Sequence, residues 1–458
     1  MLTIKLKISK FMSFFKRDKN VGVFIRMAWP ATVETVLVGL ISVIDTVMVG
    51  GLGKGAIAAV GITNQPKLIL LSIIFSLNIG LTAIVSRRTG QSDRCGANCC
   101  HRQALIICFF VSIVTSFIGY LYAKPIMEIS GASSDYINDA ADYFKIIMIS
   151  VVLTSISLTI NAAQRGAGNT KIAMRSNVAG NIVNLFMNYM LINGVGFFPR
   201  LEVKGAAIAT VLGSAVACAL SVLSVVKRES FISLTEKFSW RFDSKNIKLL
   251  FNISSGAMTE QLFIRIGFFV YAMIVAKLGT ASYAAHQICM NVITISYCFG
   301  DGIGTAASTL VGQSLGAKSP QKAVGFGQTG QKIAFAVSTV LFFTFIFGRN
   351  ILALPFTDDT EVISMCSSIF IIIAFCTHAQ TSQVVLNGCL KGAGDTKYIA
   401  VTSLISIGII RPFITWLLCI FLGYGLIGAW ISLLIDHYMR LVFSSIRFKG
   451  GKWLKKEF

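Results

Sequence analysis

Twelve apolar runs, each long enough to cross a bilayer as a helix, follow one another along the chain with only short breaks. They fall near 23–49, 57–83, 104–122, 136–162, 172–194, 203–226, 249–275, 281–310, 330–354, 362–388, 398–421 and 424–446. A spanning helix needs about 20 mostly apolar residues, because the hydrocarbon layer is about 30 Å thick and each residue rises about 1.5 Å. Lipid offers no partner to a bare N–H or C=O, so only helices and closed barrels cross it. These runs are too long for barrel strands and lack their alternation. The sequence therefore predicts an all-α polytopic membrane protein. Composition agrees: 13% of the 458 residues are charged, against about 25% in a soluble domain, and mean hydropathy is +0.72.

A net charge of +21 raises the question of nucleic acid. The placement of the charge answers it. Lys and Arg sit in short clusters between apolar runs, as they do in loops held on the cytoplasmic side of a membrane. With the N-terminus inside, the outer side holds only Lys54, Lys67, Lys124, Lys145, Arg200, Lys204, Lys277 and Arg349 of the 41 basic residues. The expectation is a multi-pass protein of the cell (inner) membrane with both termini cytoplasmic, the lipid bilayer around it and no nucleic-acid partner. Residues 1–22 are basic and amphipathic, without a signal-peptide cleavage pattern, and are expected to lie on the membrane surface. Residues 447–458 form a basic tail. Of the 11 Cys, most lie inside apolar runs. The cluster Cys95, Cys99, Cys100, His101 falls in a basic stretch expected to be a loop, and its spacing fits no zinc pattern, so no metal is expected.

The chain also repeats itself. Arg165-Gly-Ala-Gly-Asn-Thr-Lys171 matches Lys391-Gly-Ala-Gly-Asp-Thr-Lys397 at an offset of 226. The same offset carries Glu34 to Glu260, Leu52-Gly53 to Leu278-Gly279, Gly90 to Gly316 and Asn161 to Asn387. Six spans per repeat is an even number, so the two halves enter the membrane in the same direction and form parallel repeats. The expected division is an N-lobe at 23–226, a linker at 227–248 and a C-lobe at 249–446.

These motifs carry a resemblance to a known family. Trp29-Pro30, Glu34, Ile44-Asp45-Thr46, Val49-Gly50, Leu52-Gly53 and Ala58-Ala59-Val60-Gly61 resemble the opening of a multidrug and toxic compound extrusion (MATE) transporter. In the second half, Leu278-Gly279, Ala284-Ala285-His286-Gln287 and Leu310-Val311-Gly312-Gln313 look the same. The resemblance implies twelve helices in two lobes. It also implies secondary antiport by alternating access, exporting organic cations or other amphiphiles against H+ or Na+.

Ionisable groups within a span are costly and usually paired or functional. Asp45 is the first candidate for ion coupling, and matches the first-span aspartate of the family. Glu34 lies about three turns earlier on the same face of that span, and Pro30 precedes both. Asn177, Asn181, Asn184 and Asn188 form one stripe on span five. At the repeat offset these positions read Ser403, Ile407, Ile410 and Ile414, and Asp45 maps to Tyr271, so the polar centre belongs to the first lobe. One subgroup of the family has a second acid where this chain has Asn188. Protons and Na+ therefore both remain open as the coupling ion, and no other cofactor is expected.

Secondary candidates lie in the second lobe. Glu260 repeats Glu34, with Arg265 on the same span as its expected neutralising partner. The acid another subgroup carries on span seven falls at Ile264, and a span-ten acid falls near Gln380. Asp301 sits between two glycines of span eight, and His378, Gln380 and Gln383 form a polar patch on span ten.

The Gly-Ala-Gly loops lack P-loop spacing, which leaves no visible ATP site. A lipid-linked saccharide flippase is the alternative function. A membrane-embedded prenyl-transfer enzyme is the remote one, with Asp358-Asp359 and Glu361 its only metal-binding-like cluster. A monomer without enzymatic activity, acting on a small amphiphilic substrate, is expected.

Overall fold

The computed structural model describes residues 19–196, 198–226, 230–235 and 243–456. The helices are α1 (Lys19–Gly50), α2 (Lys54–Gly90), α3 (Arg94–Leu121), the short α4 (Ala123–Ile129), α5 (Ile137–Gly166), α6 (Thr170–Asn193), α7 (Glu202–Val226), α8 (Ser244–Ala276), α9 (Thr280–Gly316), α10 (Pro320–Gly348), α11 (Thr360–Gly392), α12 (Thr396–Phe421) and α13 (Gly425–Lys449). A 3₁₀ turn, Lys452–Lys455, follows. Twelve of these are transmembrane helices, six in each of two lobes. Ten are apolar enough to be recognised as spans by composition alone, among the described residues. α6, with its asparagine stripe, and α9 are the two that are not.

Local chemistry sets the helix starts. Asp93 accepts from the Gly96 N–H at 2.8 Å and begins α3. Asp243 accepts from Lys245 N–H at 3.0 Å and begins α8. Asp359 accepts from the N–H groups of Glu361 and Val362 and begins α11. Each fills donors that a helix end leaves bare. The paired Gly-Ala-Gly turns use the same backbone twice, with Gly168 at φ 93° and Gly394 at φ 74°, a left-handed conformation that suits glycine.

The structure lengthens or moves several of the expected boundaries. α3 starts well before the expected run, at Arg94, so Cys95, Cys99, Cys100 and His101 lie in its first turns rather than in a loop. That end of α3 is a dock for the inter-lobe segment 230–235. Arg94 donates to the Ser230 and Phe231 carbonyls, and Asn98 accepts from the Ser233 N–H at 2.7 Å. No cluster that would hold a metal occurs among the described residues. Lys67, expected outside the membrane, lies well within α2. α12 is interrupted by π-helical stretches at Leu404–Ile410 and Leu417–Phe421. The surface-lying N-terminal stretch expected over 1–22 falls, through residue 18, outside the described residues, as do residues 227–229 and 236–242 of the linker.

In a bilayer, water-driven burial does not hold helices together; close packing and hydrogen bonds do. Phe110, Val114, Phe117 and Leu121 form an exposed stripe along α3, a lipid face that would be out of place in water. Between the lobes, α1 and α2 pack against α8 and α9, and small residues line the crossings. A Cβ at Gly302 would overlap Thr32, and one at Gly80 would overlap Ser254. Thr35 Oγ1 donates to the Cys298 carbonyl at 2.8 Å. At the end of the bundle where the basic loops lie, Gly90 rests on the Gln313 carbonyl and Gly316 rests on the Arg87 carbonyl. The two contacts are copies under the repeat offset. The apolar core at this end draws Phe24, Met27 and Ala28 from the first lobe together with Ala306, Val385 and Trp453 from the second.

Candidate functional site

α1 and α6 run side by side in one register. Thr170 Oγ1 donates to the Met27 carbonyl at 3.2 Å, Asn177 Nδ2 to Glu34 Oε1 at 2.5 Å, and Asn188 Nδ2 to Asp45 Oδ1 at 2.8 Å. Each pair is 143 residues apart. The register recurs in the second lobe, where Thr396 Oγ1 donates to the Ile253 carbonyl at 2.7 Å. The threonines of the repeated Gly-Ala-Gly loops thus clamp the first helix of each lobe and set the height of everything above them.

Asp45 sits at the far end of this register, half-buried. Asn184, with its amide nitrogen turned toward the carboxylate, donates to both Asp45 oxygens at 3.1 and 3.2 Å, while its oxygen accepts from the Thr210 N–H at 3.2 Å. That orientation satisfies both ends of the amide. The Asn188 oxygen is buried and unpartnered. Tyr143 and Lys67 lie close enough to act on Asp45 electrostatically, but Asp45 has no ion pair among the described residues. The result is a carboxylate held by neutral amides that present either a donor or an acceptor on rotation. Asn181, between Asn177 and Asn184 on the stripe, is half-buried and makes no hydrogen bond among the described residues.

Glu34 and Glu260 behave as repeat copies. Arg165 Nη1 lies 3.4 Å from Glu34 Oε1, and Lys391 Nζ lies 3.0 Å from Glu260. Arg165 and Lys391 are the first residues of the two Gly-Ala-Gly motifs. Arg265 is the partner expected for Glu260 from the sequence, and the structure corrects this. The step from Glu260 to Arg265 turns a side chain about 140° around the helix, whereas Lys391 comes across from α11. The Nε of Arg265 is buried and unpartnered.

The other candidates divide. Asp301 lies midway along α9, is exposed, and is close enough to Lys391 and Glu260 to feel both charges. Gln380 is fully buried, accepts from Ser296 Oγ at 2.5 Å and leaves its amide nitrogen unpartnered. His378 lies away from these groups, packed on Phe335 and Phe342 with its Nε2 3.3 Å from Thr339 Oγ1. Asp359, part of the acidic cluster that resembled a metal-binding motif, is engaged as the α11 cap.

A further buried cluster escaped the sequence reading. Asp436 on α13 is ion-paired to Arg411 on α12 and, at 2.7 Å, to Arg440. It also accepts from Ser406 Oγ. Arg440 donates to His437 Nδ1 at 2.9 Å, so the imidazole proton sits on Nε2 and faces the Tyr297 hydroxyl at 3.0 Å. The Arg411 guanidinium stacks over Phe268, 4.6 Å from the ring centroid. Arg411 stands out in the sequence as a membrane cation, but nothing there points to Asp436 as its partner.

A duplicated twelve-helix bundle with buried charges on the helices between and beside its halves defines a two-lobed membrane transporter. The MatE family profile matches residues 30–190 and 257–417, once in each lobe. The chain is 26% identical over 455 residues to the probable multidrug resistance protein NorM of Thermotoga maritima, covering 98% of this chain and 97% of that one. It is 24% identical over 367 residues to an FAD transporter of Shewanella oneidensis, 80% of each chain. An Asp-to-Asn variant of the Vibrio cholerae MATE transporter VcmN shares the fold at a TM-score of 0.88 and 18% identity, over 95% of this chain and 99% of that chain. A MOP superfamily transporter from Pyrococcus furiosus does so at 0.87 and 19%, over 96% and 98%. The chain belongs to the MatE family of multidrug and toxic compound extrusion transporters.

Proposed function

We propose that this protein is a secondary antiporter that exports organic cations or other amphiphiles in exchange for H+ or Na+, with Asp45 as the coupling group. The observation that carries this reading is a half-buried carboxylate within one lobe, free of an ion-paired cation among the described residues and held by the amides of Asn184 and Asn188. A bare carboxylate is held by the amide N–H groups. When a cation arrives, the amides turn their oxygens inward; when a proton arrives, the unpartnered Asn188 oxygen accepts the new O–H. Either event repacks α1 on α6. Because α1 also packs on α9 through Thr32 and Thr35, the change reaches the lobe interface and shifts the balance between two global states.

The distribution of Lys and Arg supports a cell-membrane (inner-membrane) orientation with the basic end and both termini in the cytoplasm. In that orientation the Gly90–Gly316 crossing closes the cytoplasmic side. The relatives named above, multidrug resistance proteins and an FAD transporter, favour a small amphiphilic substrate, handled by a monomer.

Proteoliposomes loaded with a cationic dye, with a proton or a sodium gradient imposed separately, test the reading. Wild-type protein drives dye out against one of the two gradients. Asp45→Asn loses that gradient dependence while remaining folded; full ion-driven efflux in this variant would falsify the assignment.

A further inference from the structure

The two Gly-Ala-Gly motifs differ at one internal position, Asn169 in the first and Asp395 in the second, and the coupling site uses neither. Asp395 is 1% exposed. Its Oδ2 accepts from Arg447 Nε at 2.7 Å, and its Oδ1 forms an ion pair with Lys456 Nζ at 2.7 Å. Lys456 in turn presents its backbone carbonyl to Arg87 Nη1 at 2.6 Å. Arg87 belongs to the other lobe, and its own carbonyl is the one on which Gly316 rests. Between these anchors Trp453 is fully buried in the core shared by the two lobes, stacked on Phe448 at 5.0 Å, and its Nε1 donates to the Phe448 carbonyl. Residues 450–456 are therefore no free tail. They run from the second lobe, across the basic end, to the first.

We propose that Lys452–Lys456 is a strap that holds the two lobes together at the basic end, with Asp395 and Lys456 as positioning residues that bias the protein toward the state closed at that end. Opening the basic end separates Arg87 from Gly316 and so breaks the Arg87–Lys456 bond. The strap adds a polar and an aromatic contact to that opening, and a carboxylate in place of Asn169's amide is what anchors its last residue. For transport this rests on the alternating-access reading, but the lobe distance itself requires no substrate and no coupling ion.

The test is a distance measurement on the full chain in nanodiscs. Spin labels on genetically encoded keto residues at Ser92 and Lys318, equivalent turns of the two lobes, report the gap at the basic end and leave the native cysteines untouched. Wild-type protein gives one short distance as its main population. Asp395→Asn, which installs the residue the first lobe already carries here, and Lys456→Ala each raise a longer-distance population at least twofold. Distance distributions like wild type in both variants overturn the strap, even if dye efflux is altered. An Asp45→Asn protein that loses coupled efflux but keeps the wild-type response to these two substitutions separates this inference from the coupling-site assignment.

Discussion

Tyr271 holds in the second lobe the place that Asp45 holds in the first. Around Asp45 are Asn184 and Asn188, whereas around Tyr271 the equivalent positions are Ile410 and Ile414. A cation is built in beside the Tyr271 ring, with the Arg411 guanidinium 6.0 Å from the ring centroid. Duplication made the scaffold symmetric, and divergence left a carboxylate held by amides in the first lobe and a tyrosine in its place in the second.

Replacing Asn188 by Leu removes the donor that lies 2.8 Å from Asp45 and the free oxygen behind it. A hydrogen bond to a charged group contributes about 1.5–3 kcal/mol. The half-saturating concentration of the driving cation should therefore change by roughly ten- to a hundredfold in proteoliposomes. Asn184→Leu should act in the same way, and Asn181→Leu, which removes no bond, should leave the value within about twofold.

Lys67 lies inside α2 and acts on Asp45 without forming an ion pair. Its positive charge opposes an incoming cation. Lys67→Met should lower the half-saturating concentration of the driving cation by several-fold, since a charge-charge interaction of about 1 kcal/mol at these separations corresponds to roughly fivefold. An unchanged or weaker cation dependence would show that the ammonium is turned away from the site during transport.

The ion pairs at Glu34 and Glu260 should not be equally fragile. Lys391→Met strands a buried Glu260, whereas Arg165→Met leaves Glu34 its 2.5 Å bond from Asn177. Thermal unfolding in detergent should drop more for Lys391→Met, by about 2–3 kcal/mol against about 1. Combining Lys391→Met with Glu260→Gln should restore part of the loss, and strictly additive values would argue that the pair is not coupled.

Asp436 faces two guanidinium groups in the interior of the second lobe, where Arg411 is fully buried. Removing one partner of a buried pair costs about 3–5 kcal/mol because it leaves a charge uncompensated. Asp436→Asn should lower the melting temperature well below that of Asp45→Asn, which strands no cation. Equal melting temperatures for the two would mean that Asp436 is not structural.

Much of the architecture is written in the sequence because lipid is a severe solvent. Twelve spans, two parallel halves and the likeness of Glu34 to Glu260 follow from hydropathy and a single offset. The pairing of Asn188 with Asp45 is half legible: the stripe on α6 and the acid on α1 are visible, but their common register depends on Thr170 gripping Met27, which no one-dimensional pattern displays. Partners from distant spans are the least visible. The sequence offers Arg265 for Glu260, and only the rotation of α8 turns the carboxylate to Lys391 on α11 instead. Asp436 lies in an ordinary-looking last helix, and Lys456 in a terminal basic run of the kind that usually stays solvated. The role of Lys456 arises where the chain's end meets the second Gly-Ala-Gly turn, two spans' connection away in sequence but adjacent in space.

Since Gly90 makes a recess for Gln313 and Gly316 makes the matching recess for Arg87, neither half of the polypeptide owns the seal between them. A chimera joining this first half to the second half of a relative would stay watertight at that crossing only if the relative also kept a bare backbone where Gly316 stands.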